Sequence, residues 1–440
     1  MPLEALILTG VVALVILVAV VPVIVHHRRR DRFIRQKLER AKLLGTSETL
    51  SLHPVVDEGK CIGCEECVRG CPEQDVLALY RHKAVVIDAV ECVGHGICER
   101  VCPVGAITLV VGTESRGLEI PKLTENFETN VPGLYVVGEL GGMGLIRNAI
   151  WQAAQAIEHI RGRPRVPLKG GVEVLVVGAG PAGLAAALAA RESRLSCRII
   201  DQDTLGGSML HYPRRKLVMT HPASLPGIGE FPFREIEKES LLAFWRSTAE
   251  RAEIEVEEGV VLQRIERADG TLVAQTSAGP IRAARVVLAL GRRGSPRKLE
   301  VPGEISAKVL YRLIEAHSFD GQRALVSGGG SAALETALAL AERPRTTVTL
   351  CHRRDSFSAR TALIEKLFGA ERHGRLEVLR NTRVTAIEPE RVTLDVAGAP
   401  AERPNDVVFV MIGGVPPYQI LRDSGVDLET KFGTPIVAPR

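Results

Sequence analysis

Apolar residues follow three different patterns along the chain. Residues 5–25 form one apolar run without a charged side chain. From residue 113 onward, short apolar runs such as Val174–Val177 alternate with Ala-rich stretches, a pattern typical of buried parallel strands followed by helices. Between residues 51 and 112 the apolar runs are short and cysteines separate them. The chain is therefore predicted to be an α/β protein with a small α+β domain and one N-terminal helix before it.

The first apolar run is long enough to cross a bilayer, since about 20 helical residues cover about 30 Å. Basic residues follow it, at His26–Arg32, rather than precede it as in a signal peptide. The positive-inside rule then places the rest of the chain in the cytoplasm. We expect a single-pass anchor in the cell inner membrane over residues 1–25. A basic juxtamembrane linker follows over 26–50, either resting on anionic lipid as an amphipathic helix or simply solvated.

Composition and charge limit the choice of partners. The chain has 440 residues, enough for two or three domains, with 45% hydrophobic and 25% charged residues. Its net charge of +4 is small and local, so no nucleic-acid partner is expected. Most of its nine cysteines lie between Cys61 and Cys102, which favours metal ligation over a secreted disulfide framework.

The stretch VEVLVVGAGPAGLAAALAARESRLSCRIID, residues 172–201, has the order strand, Gly-rich turn, helix, strand and acid. Its turn fits the dinucleotide pattern G-x-G-x-x-G, in which the helix N-terminus binds a pyrophosphate and the acid binds ribose hydroxyls. A turn that serves only packing is the alternative, and the complete context argues against it. The predicted binding residues are Gly178, Gly180, Pro181, Ala182, Gly183 and Asp201.

Two cysteine runs repeat within residues 51–112. The first is C-x2-C-x2-C-x3-C-P from Cys61, and the second begins at Cys92 and ends at Cys102-Pro103. The region resembles a two-cluster bacterial ferredoxin, in which the fourth cysteine of each run binds the other cluster. The resemblance implies that one 4Fe-4S cluster is bound by Cys61, Cys64, Cys67 and Cys102, and the second by Cys71, Cys92 and Cys98. A zinc module is the alternative, and the repeated C-x3-C-P endings speak against it.

His95 stands where the second run should have its second cysteine. It either binds the fourth iron of a 4Fe-4S cluster, or lies beside a 3Fe-4S cluster, or belongs to an empty, degenerate site. The first two interpretations are about equally favoured, because the other three cysteines and Pro103 remain.

Residues 129–139, TNVPGLYVVGE, and the Ala-rich stretch after them resemble the closing segment of two-dinucleotide-domain flavoproteins. In that family a strand ends in Gly-Asp and the acid bonds the flavin ribityl chain. The resemblance implies that Gly138 and Glu139 bind FAD and that 113–160 is a permuted closing segment, joined by a linker at 161–171. The alternative is an ordinary strand and helix between domains.

Two further stretches are assigned to the FAD-binding domain, predicted over residues 172–304. Gly207 begins a loop that in relatives passes over the flavin, although an ordinary surface loop is as probable. The strand ending at Gly291 resembles the family's crossover strand.

A second nucleotide fold is predicted over residues 305–410, followed by a return to the FAD domain over 411–440. Its turn is G-x-G-x-x-A, and its second strand ends in basic residues rather than in an acid. Arginine pairs with a 2′-phosphate, so this position favours NADPH, with a solvated basic loop as the alternative. His352 is expected to have a positional role. The predicted residues are Gly328, Gly330, Ser331, Ala332, Ala333, His352, Arg353, Arg354 and Arg360.

Residues 113–440 together resemble the thioredoxin-reductase-like flavoproteins, yet no C-x-x-C follows Cys102. The hypothesis is therefore a membrane-anchored NADPH dehydrogenase, expected to be a homodimer, that passes electrons through FAD and two iron–sulfur clusters to a ferredoxin, a quinone or a partner subunit. The reverse direction is also open. One alternative is a disulfide or small-molecule reductase fed by its ferredoxin domain, with a substrate pocket near residues 211–216. The other is a non-catalytic sensor or scaffold. No general acid or base is nominated.

Overall fold

The computed structural model describes residues 10–11, 14–49, 51–73, 75–114, 117–141, 145–166, 168, 170–212, 214, 216–220, 222–292 and 294–435. These residues form two compact units, made mainly by residues 10–49 with 53–110 and by residues 111–434.

The first unit combines one long helix with short strands and helices around the cysteines. Strands β2 and β3 form an antiparallel hairpin in which Leu77 pairs with Val86, and β1 pairs antiparallel with β4. The elements are α1 (Val21–Leu44), β1 (His53–Val56), α2 (Glu66–Gly70), β2 (Leu77–Tyr80), β3 (Lys83–Val86), α3 (Ile97–Arg100) and β4 (Ile107–Val111).

Helix α1 covers most of the predicted linker over residues 26–50. Its Ile34 is buried against Ala78 and Ile87 of the hairpin, and Ala41 is also buried. Part of the predicted anchor, residues 1–9 and 12–13, lies outside the described residues. Among the residues that are described, no helix is both long and apolar enough to cross a membrane. The basic segment is thus a packed helix rather than a free connector.

The second unit begins with a first lobe, defined as residues 117–304 with the C-terminal stretch from 411. Its helices are α4 (Ile146–Arg161), α5 (Pro181–Glu192) and α6 (Lys238–Arg251). Its strands before residue 304 are β5 (Leu118–Pro121), β6 (Leu134–Val136), β7 (Val172–Val177), β8 (Cys197–Asp201), β9 (Leu217–Met219), β10 (Ala223–Leu225), β11 (Gly229–Phe231), β12 (Glu235–Glu237), β13 (Val256–Glu258), β14 (Leu262–Ala268), β15 (Thr271–Thr276), β16 (Gly279–Leu288) and β17 (Ser295–Pro296).

A seven-stranded sheet in the order β13-β8-β7-β16-β15-β14 organises the first lobe, with β6 also paired to β16. Strands β13, β8, β7, β16 and β6 run parallel where they pair. Residues of α4 and α5 share one buried core with that sheet. The segment before the linker therefore belongs to the same sheet as the G-x-G-x-x-G turn.

The second lobe, residues 305–410, has a five-stranded parallel sheet in the order β18-β25-β19-β20-β21 and a three-stranded antiparallel sheet β22-β23-β24. Two helices, α7 (Ser331–Ala341) and α8 (Thr361–Arg372), follow β19 and β20. The strands are β18 (Val309–Leu310), β19 (Arg323–Ser327), β20 (Thr347–Cys351), β21 (Glu377–Leu379), β22 (Thr382–Ile387), β23 (Arg391–Val396), β24 (Ala399–Pro404) and β25 (Val407–Val410).

After β25 the chain returns to the first lobe. Leu421 and Val426 are buried in the core beneath its sheet, and β27 pairs antiparallel with β5. The predicted return over 411–440 is described as far as residue 435. Its elements are β26 (Gly414–Val415), α9 (Tyr418–Asp423), β27 (Leu428–Lys431) and β28 (Thr434–Pro435).

Candidate cofactor sites

The first Gly-rich turn joins β7 to α5 in a conformation that only glycine fits. Gly178 has a φ of 106°, and a Cβ atom there would lie 2.4 Å from the carbonyl oxygen of Ala289. A Cβ atom on Gly183 would lie 1.7 Å from the carbonyl oxygen of Gly178. Helix α5 begins at Pro181 directly after the turn, so its first N–H groups lack intrahelical acceptors. These N–H groups can donate hydrogen bonds to a pyrophosphate.

Asp201 ends β8 beside that turn and is only 7% exposed. Its carboxylate accepts hydrogen bonds from the backbone N–H of Ala179 at 2.5 Å and of Asp203 at 2.7 Å. Each oxygen keeps a second lone pair, so ribose hydroxyls can still bind. Asp201 thus fixes the turn.

A cavity of about 470 Å³ opens over the turn and draws its walls from separate stretches of the first lobe. The predicted residues that line it are Gly138, Glu139, Gly178, Gly180, Pro181, Ala182, Asp201, Gly207 and Gly291. Gly183 serves the packing of α5 instead. Val415, Pro416 and Pro417, in a stretch that resembles the flavoprotein family, line the cavity as well. Further lining residues that no sequence pattern indicated are Leu145, Ile146, Ala149, Gln202, Val260, Val261, Leu262, Gln419 and Ile420.

The upstream segment is attached to this cavity by Gln152 of α4. The Oε1 atom of this fully buried side chain accepts a hydrogen bond of 2.7 Å from the backbone N–H of Gly138. Gly138 has a φ of 82°, and a Cβ atom there would lie 3.1 Å from the Cβ atom of Ala182 in α5. Gln152 was missed because nothing in the residues around it distinguishes it from a surface position on a helix.

The second Gly-rich turn joins β19 to α7. Gly328 has a φ of 153°, and a Cβ atom there would meet the carbonyl oxygen of Met411 at 2.3 Å. Helix α7 begins at Ser331, and Gly330 caps its N-terminus, with Ala332 and Ala333 in the first turn. The arrangement repeats that of the first turn and presents a second helix N-terminus for phosphates.

His352, directly after β20, lies against the second turn. A Cβ atom on Gly329 would lie 2.3 Å from its ring, which stacks on Phe357 with ring centroids 5.4 Å apart. Burial lowers the pKa of His352, and the neighbouring Arg354 and Arg353 lower it further. Packing thus holds the imidazole against the second turn.

The predicted phosphate-binding arginines are exposed at the same end of the sheet. Arg353 and Arg354 follow His352, and Arg360 caps the N-terminus of α8. The strand β20 ends in Cys351 rather than in an acid, and two arginines follow His352, so this end of the strand carries the positive charge that a 2′-phosphate requires.

A cavity of about 420 Å³ lies where the two lobes meet. It shares Glu139, Ser208, His211, Tyr212 and Pro416 with the first cavity, and Ala332 of α7 lines it from the second lobe. Lys216 and Glu335 form an ion pair of 2.8 Å in its wall. The two cavities therefore share part of their walls.

In the first unit, four cysteines line one small cavity, and they are the four assigned to the first cluster: Cys61, Cys64, Cys67 and Cys102. Backbone N–H groups donate to two of the sulfurs, from Ala84 to Cys61 at 3.3 Å and from Ala106 to Cys102 at 3.2 Å. Such hydrogen bonds stabilise thiolate charge, so the site fits an iron–sulfur cluster.

The cysteines assigned to the second cluster also lie near one another. Burial raises the pKa of Cys98 to about 12, and Cys92 and Cys71 raise it as well. Burial raises the pKa of Cys92 to about 11, again with a contribution from Cys71. Thiolates at these positions therefore need a bound cation, as cluster iron supplies.

His95 is half-buried in the turn before α3, and its carbonyl oxygen accepts a hydrogen bond of 3.4 Å from Arg100. Within the described ranges, no group of three or more His, Cys, Asp or Glu side chains is suited to a single metal ion. The structure leaves the three interpretations of His95 open.

Comparison with known proteins gives two family matches. Residues 175–440 match the model of the pyridine nucleotide-disulphide oxidoreductases, and residues 54–109 match that of the 4Fe-4S dicluster domain. The predicted pairing of a flavoprotein fold with a ferredoxin domain is confirmed by these matches.

Individual relatives agree with them. A ferredoxin–NADP reductase from Paraburkholderia xenovorans is 33% identical over 49% of this chain and 59% of its own length. A thioredoxin reductase from Treponema pallidum is 30% identical over 58% of this chain and 80% of its own. The solved bacillithiol disulfide reductase from Bacillus cereus has a TM-score of 0.55 at 23% identity, covering 61% of this chain and 86% of its own, a similarity of fold.

Proposed function

The chain belongs to the pyridine nucleotide-disulphide oxidoreductase family. We propose that it is an NADPH-dependent flavin oxidoreductase that transfers electrons to its acceptor from its own 4Fe-4S dicluster domain. Electrons from NADPH reach an acceptor by way of FAD and the iron–sulfur clusters. Because the chain spans less than two thirds of the first relative's length, this activity is inferred from the sites of the chain itself.

One observation carries the proposal: a single cavity is lined by residues of four separate stretches of the chain. These are Gly138 and Glu139, Gly178 with Gly180–Ala182, Asp201, and Val415–Pro417 with Gln419 and Ile420. Residues 113–160 then act as a permuted closing segment of the FAD site. The interlobe cavity adjoins this site through Glu139, where a nicotinamide held by α7 would meet the flavin. FAD accepts a hydride and can release electrons singly, and iron–sulfur clusters carry single electrons.

The residues of the chain position these groups. The N-termini of α5 and α7 bind pyrophosphates, Asp201 holds the adenosine ribose of FAD, and Arg353, Arg354 and Arg360 bind the 2′-phosphate of NADPH. Cys61, Cys64, Cys67 and Cys102 bind one 4Fe-4S cluster. Cys71, Cys92 and Cys98 bind the second, which is 4Fe-4S with His95 as a ligand or 3Fe-4S.

The environment of the protein is part of the proposal. Every described side chain from Val11 to Val25 is exposed. An exposed apolar surface of this size is typical of a site that binds a membrane or another protein. Exposed Arg28, Arg29 and Arg32 follow. We propose that residues 5–25 attach the protein to the inner membrane, with both units in the cytoplasm and the protein a homodimer.

Anaerobic titration with NADPH tests the function. We expect loss of the oxidised-flavin absorbance, with NADH much less effective, followed by EPR signals of reduced clusters. A flavin that stays oxidised would contradict the proposal and favour a sensor or scaffold. A low-temperature EPR signal from the oxidised protein would indicate a 3Fe-4S cluster, and its absence a 4Fe-4S cluster with His95.

A second candidate is a disulfide or small-molecule reductase fed by the ferredoxin domain. His211, Tyr212 and Lys216 line the interlobe cavity, so there is room for a substrate where that hypothesis requires it. Reduction of a disulfide at the flavin by electrons from reduced clusters, and its loss in protein stripped of its clusters, would favour this candidate. Reduction of an acceptor at the clusters by NADPH would favour the first.

A further inference from the structure

Helix α1 touches the loop of the first four-cysteine site just after its apolar run ends. Arg30 forms an ion pair of 2.7 Å with Glu65, the residue after Cys64. The ring of His27 lies 5.5 Å from that of His82, centroid to centroid. The carbonyl oxygen of His82 in turn leaves no room for a side chain at Gly63. The loop 62–65 is therefore fixed to the first turns of the helix beyond the apolar run.

The helix rise gives the depth of this loop relative to the apolar run. Arg30 is the fifth residue after Val25, the last apolar residue, and five steps of 1.5 Å place it about 7.5 Å further along the helix. The headgroup layer on one side of a bilayer is about 5–7 Å thick. If residues 5–25 lie in a bilayer, the loop of the first site lies at the level of the headgroups.

Two exposed apolar side chains line the cavity of the same site. Ile62 is 64% exposed and Val104 is 39% exposed, although both line the cavity of the four cysteines. The remaining apolar lining residues, Ala84, Ala106 and Ile107, are buried. We call Ile62 and Val104 the apolar rim. The rim is the exposed apolar part of the lining of the first site.

The charges around the rim favour a small apolar partner over a protein. Arg30 is paired with Glu65, and Lys60 with Asp57 at 3.2 Å. Arg69 lies 3.5 Å from Glu66. Redox proteins are usually guided to their partner proteins by an excess of charge of one sign. The opposite charges within each of these pairs cancel, so the pairs supply no such excess. The exposed Arg28, Arg29 and Arg32 lie on the helix instead, where they complement anionic lipid.

We propose that the apolar rim is the contact site for a membrane quinone, which enters from the bilayer and takes its electrons at the first four-cysteine site. This inference rests on the proposed function and names its acceptor. The reaction is NADPH + H⁺ + quinone → NADP⁺ + quinol. NADPH loses a hydride, and the quinone gains two electrons and two protons, one of them from solvent.

The test uses the full-length protein with its cofactors, in vesicles of phosphatidylethanolamine and phosphatidylglycerol. A photoreactive azidoquinone is added, and the labelled peptides are identified by mass spectrometry. We expect label on the segments that contain Ile62 or Val104. The variant I62E/V104E should lower both this label and quinone-dependent reoxidation of dithionite-reduced protein by about tenfold or more. V55E, at an exposed apolar position of β1, is the matched control and should change neither.

Label confined to the second unit would overturn the inference, as would equal labelling of wild type and I62E/V104E. If I62E/V104E loses its clusters, as shown by iron content and EPR, the labelled positions in wild type decide. Because dithionite replaces NADPH in the reoxidation assay, the rim can be tested even if NADPH fails to reduce the flavin. Failure of the proposed function and failure of this inference are therefore distinguishable.

Discussion

The imidazole ring of His352 lies directly over Gly329, so that a Cβ atom on Gly329 would stand 2.3 Å from the ring. Stacking on Phe357 and the contact of Nε2 with the carbonyl oxygen of Ser356 at 3.1 Å hold the ring there. The ring of His352 after β20 thus packs against the turn after β19 only because that turn has a glycine at position 329.

Gly329→Ala should weaken NADPH binding without changing FAD content. Overpacking of this kind costs about 1–3 kcal/mol, or roughly 5- to 150-fold in affinity if the bound form carries the strain. Calorimetric titration with NADPH measures the change. Gly369→Ala in α8, where a Cβ atom would meet nothing within 4 Å, is the control. An unchanged dissociation constant for G329A would contradict the assignment of this turn to NADPH.

Asp201→Asn should lower FAD affinity. The amide nitrogen would face a backbone N–H that now donates to the carboxylate, and hydrogen bonds to charged groups contribute about 1.5–3 kcal/mol. FAD titration of the apoprotein should show a loss of roughly 10- to 100-fold. Glu257→Gln on the neighbouring strand, which removes the charge of a surface pair with Arg198, should retain wild-type affinity. Full FAD binding by D201N would argue that the acid serves only the turn.

Gln152→Ala should release the upstream segment from the flavin cavity. The buried N–H of Gly138 would lose its acceptor, at a cost of about 1–3 kcal/mol. Both the thermal midpoint of the second unit and its FAD retention should fall. Gln155→Ala removes a more exposed amide of the same helix, one that bonds Glu125, and should have a smaller effect. Equal effects of the two variants would mean that the hydrogen bond between Gln152 and Gly138 does not hold the upstream segment at the cavity.

The double variant R353A/R354A should weaken the binding of NADPH and leave that of NADH unchanged. Loss of two cations facing a 2′-phosphate should raise the dissociation constant for NADPH by roughly 10- to 100-fold, since charge-assisted pairs contribute about 1.5–3 kcal/mol. NADH, which lacks that phosphate, should bind within a factor of about two of wild type. Arg372→Ala, an exposed arginine at the end of α8, controls for general loss of positive charge. Equal weakening of both cofactors would assign the arginines to another role.

Stability should depend on pH through His352. Burial lowers its pKa in the folded protein, so the unfolded chain binds the proton more readily. The free energy of unfolding should therefore fall as the pH decreases from the unfolded value of about 6.5 toward the lowered folded pKa. Urea unfolding of wild type and H352Q between pH 8 and pH 5 measures this contribution. A difference between the two proteins that is constant over this range would show that the group does not titrate with folding.

Local patterns predicted the parts of the sites that are fixed by neighbours in sequence. Gly178 and Gly183 are needed because a strand must turn at once into a helix packed on it, and four cysteines at ferredoxin spacing line one cavity. These requirements act over a few residues, so the sequence shows them directly.

Residues whose roles arise only from tertiary packing were not predictable. Gln152 acts through a turn that precedes its own helix, and Gln419 reaches the flavin cavity only because the chain returns after β25. Ile34 looked like one apolar residue among many charges, yet it is buried against the hairpin of the first unit. In each case the partner lies far away in sequence or on another element, and no local pattern encodes it.

The pairing of Leu134 with Val286 has a consequence for the way the protein is made. Strand β6 leaves the ribosome long before β16, and contacts between such distant segments form slowly. Residues up to Val110, which include all the clustered cysteines, are by contrast synthesised before any of the first lobe, whereas Pro435 of the same unit is made much later. These cysteines are thus available to bind metal before β6 can pair with β16, and we expect iron–sulfur assembly to precede flavin insertion.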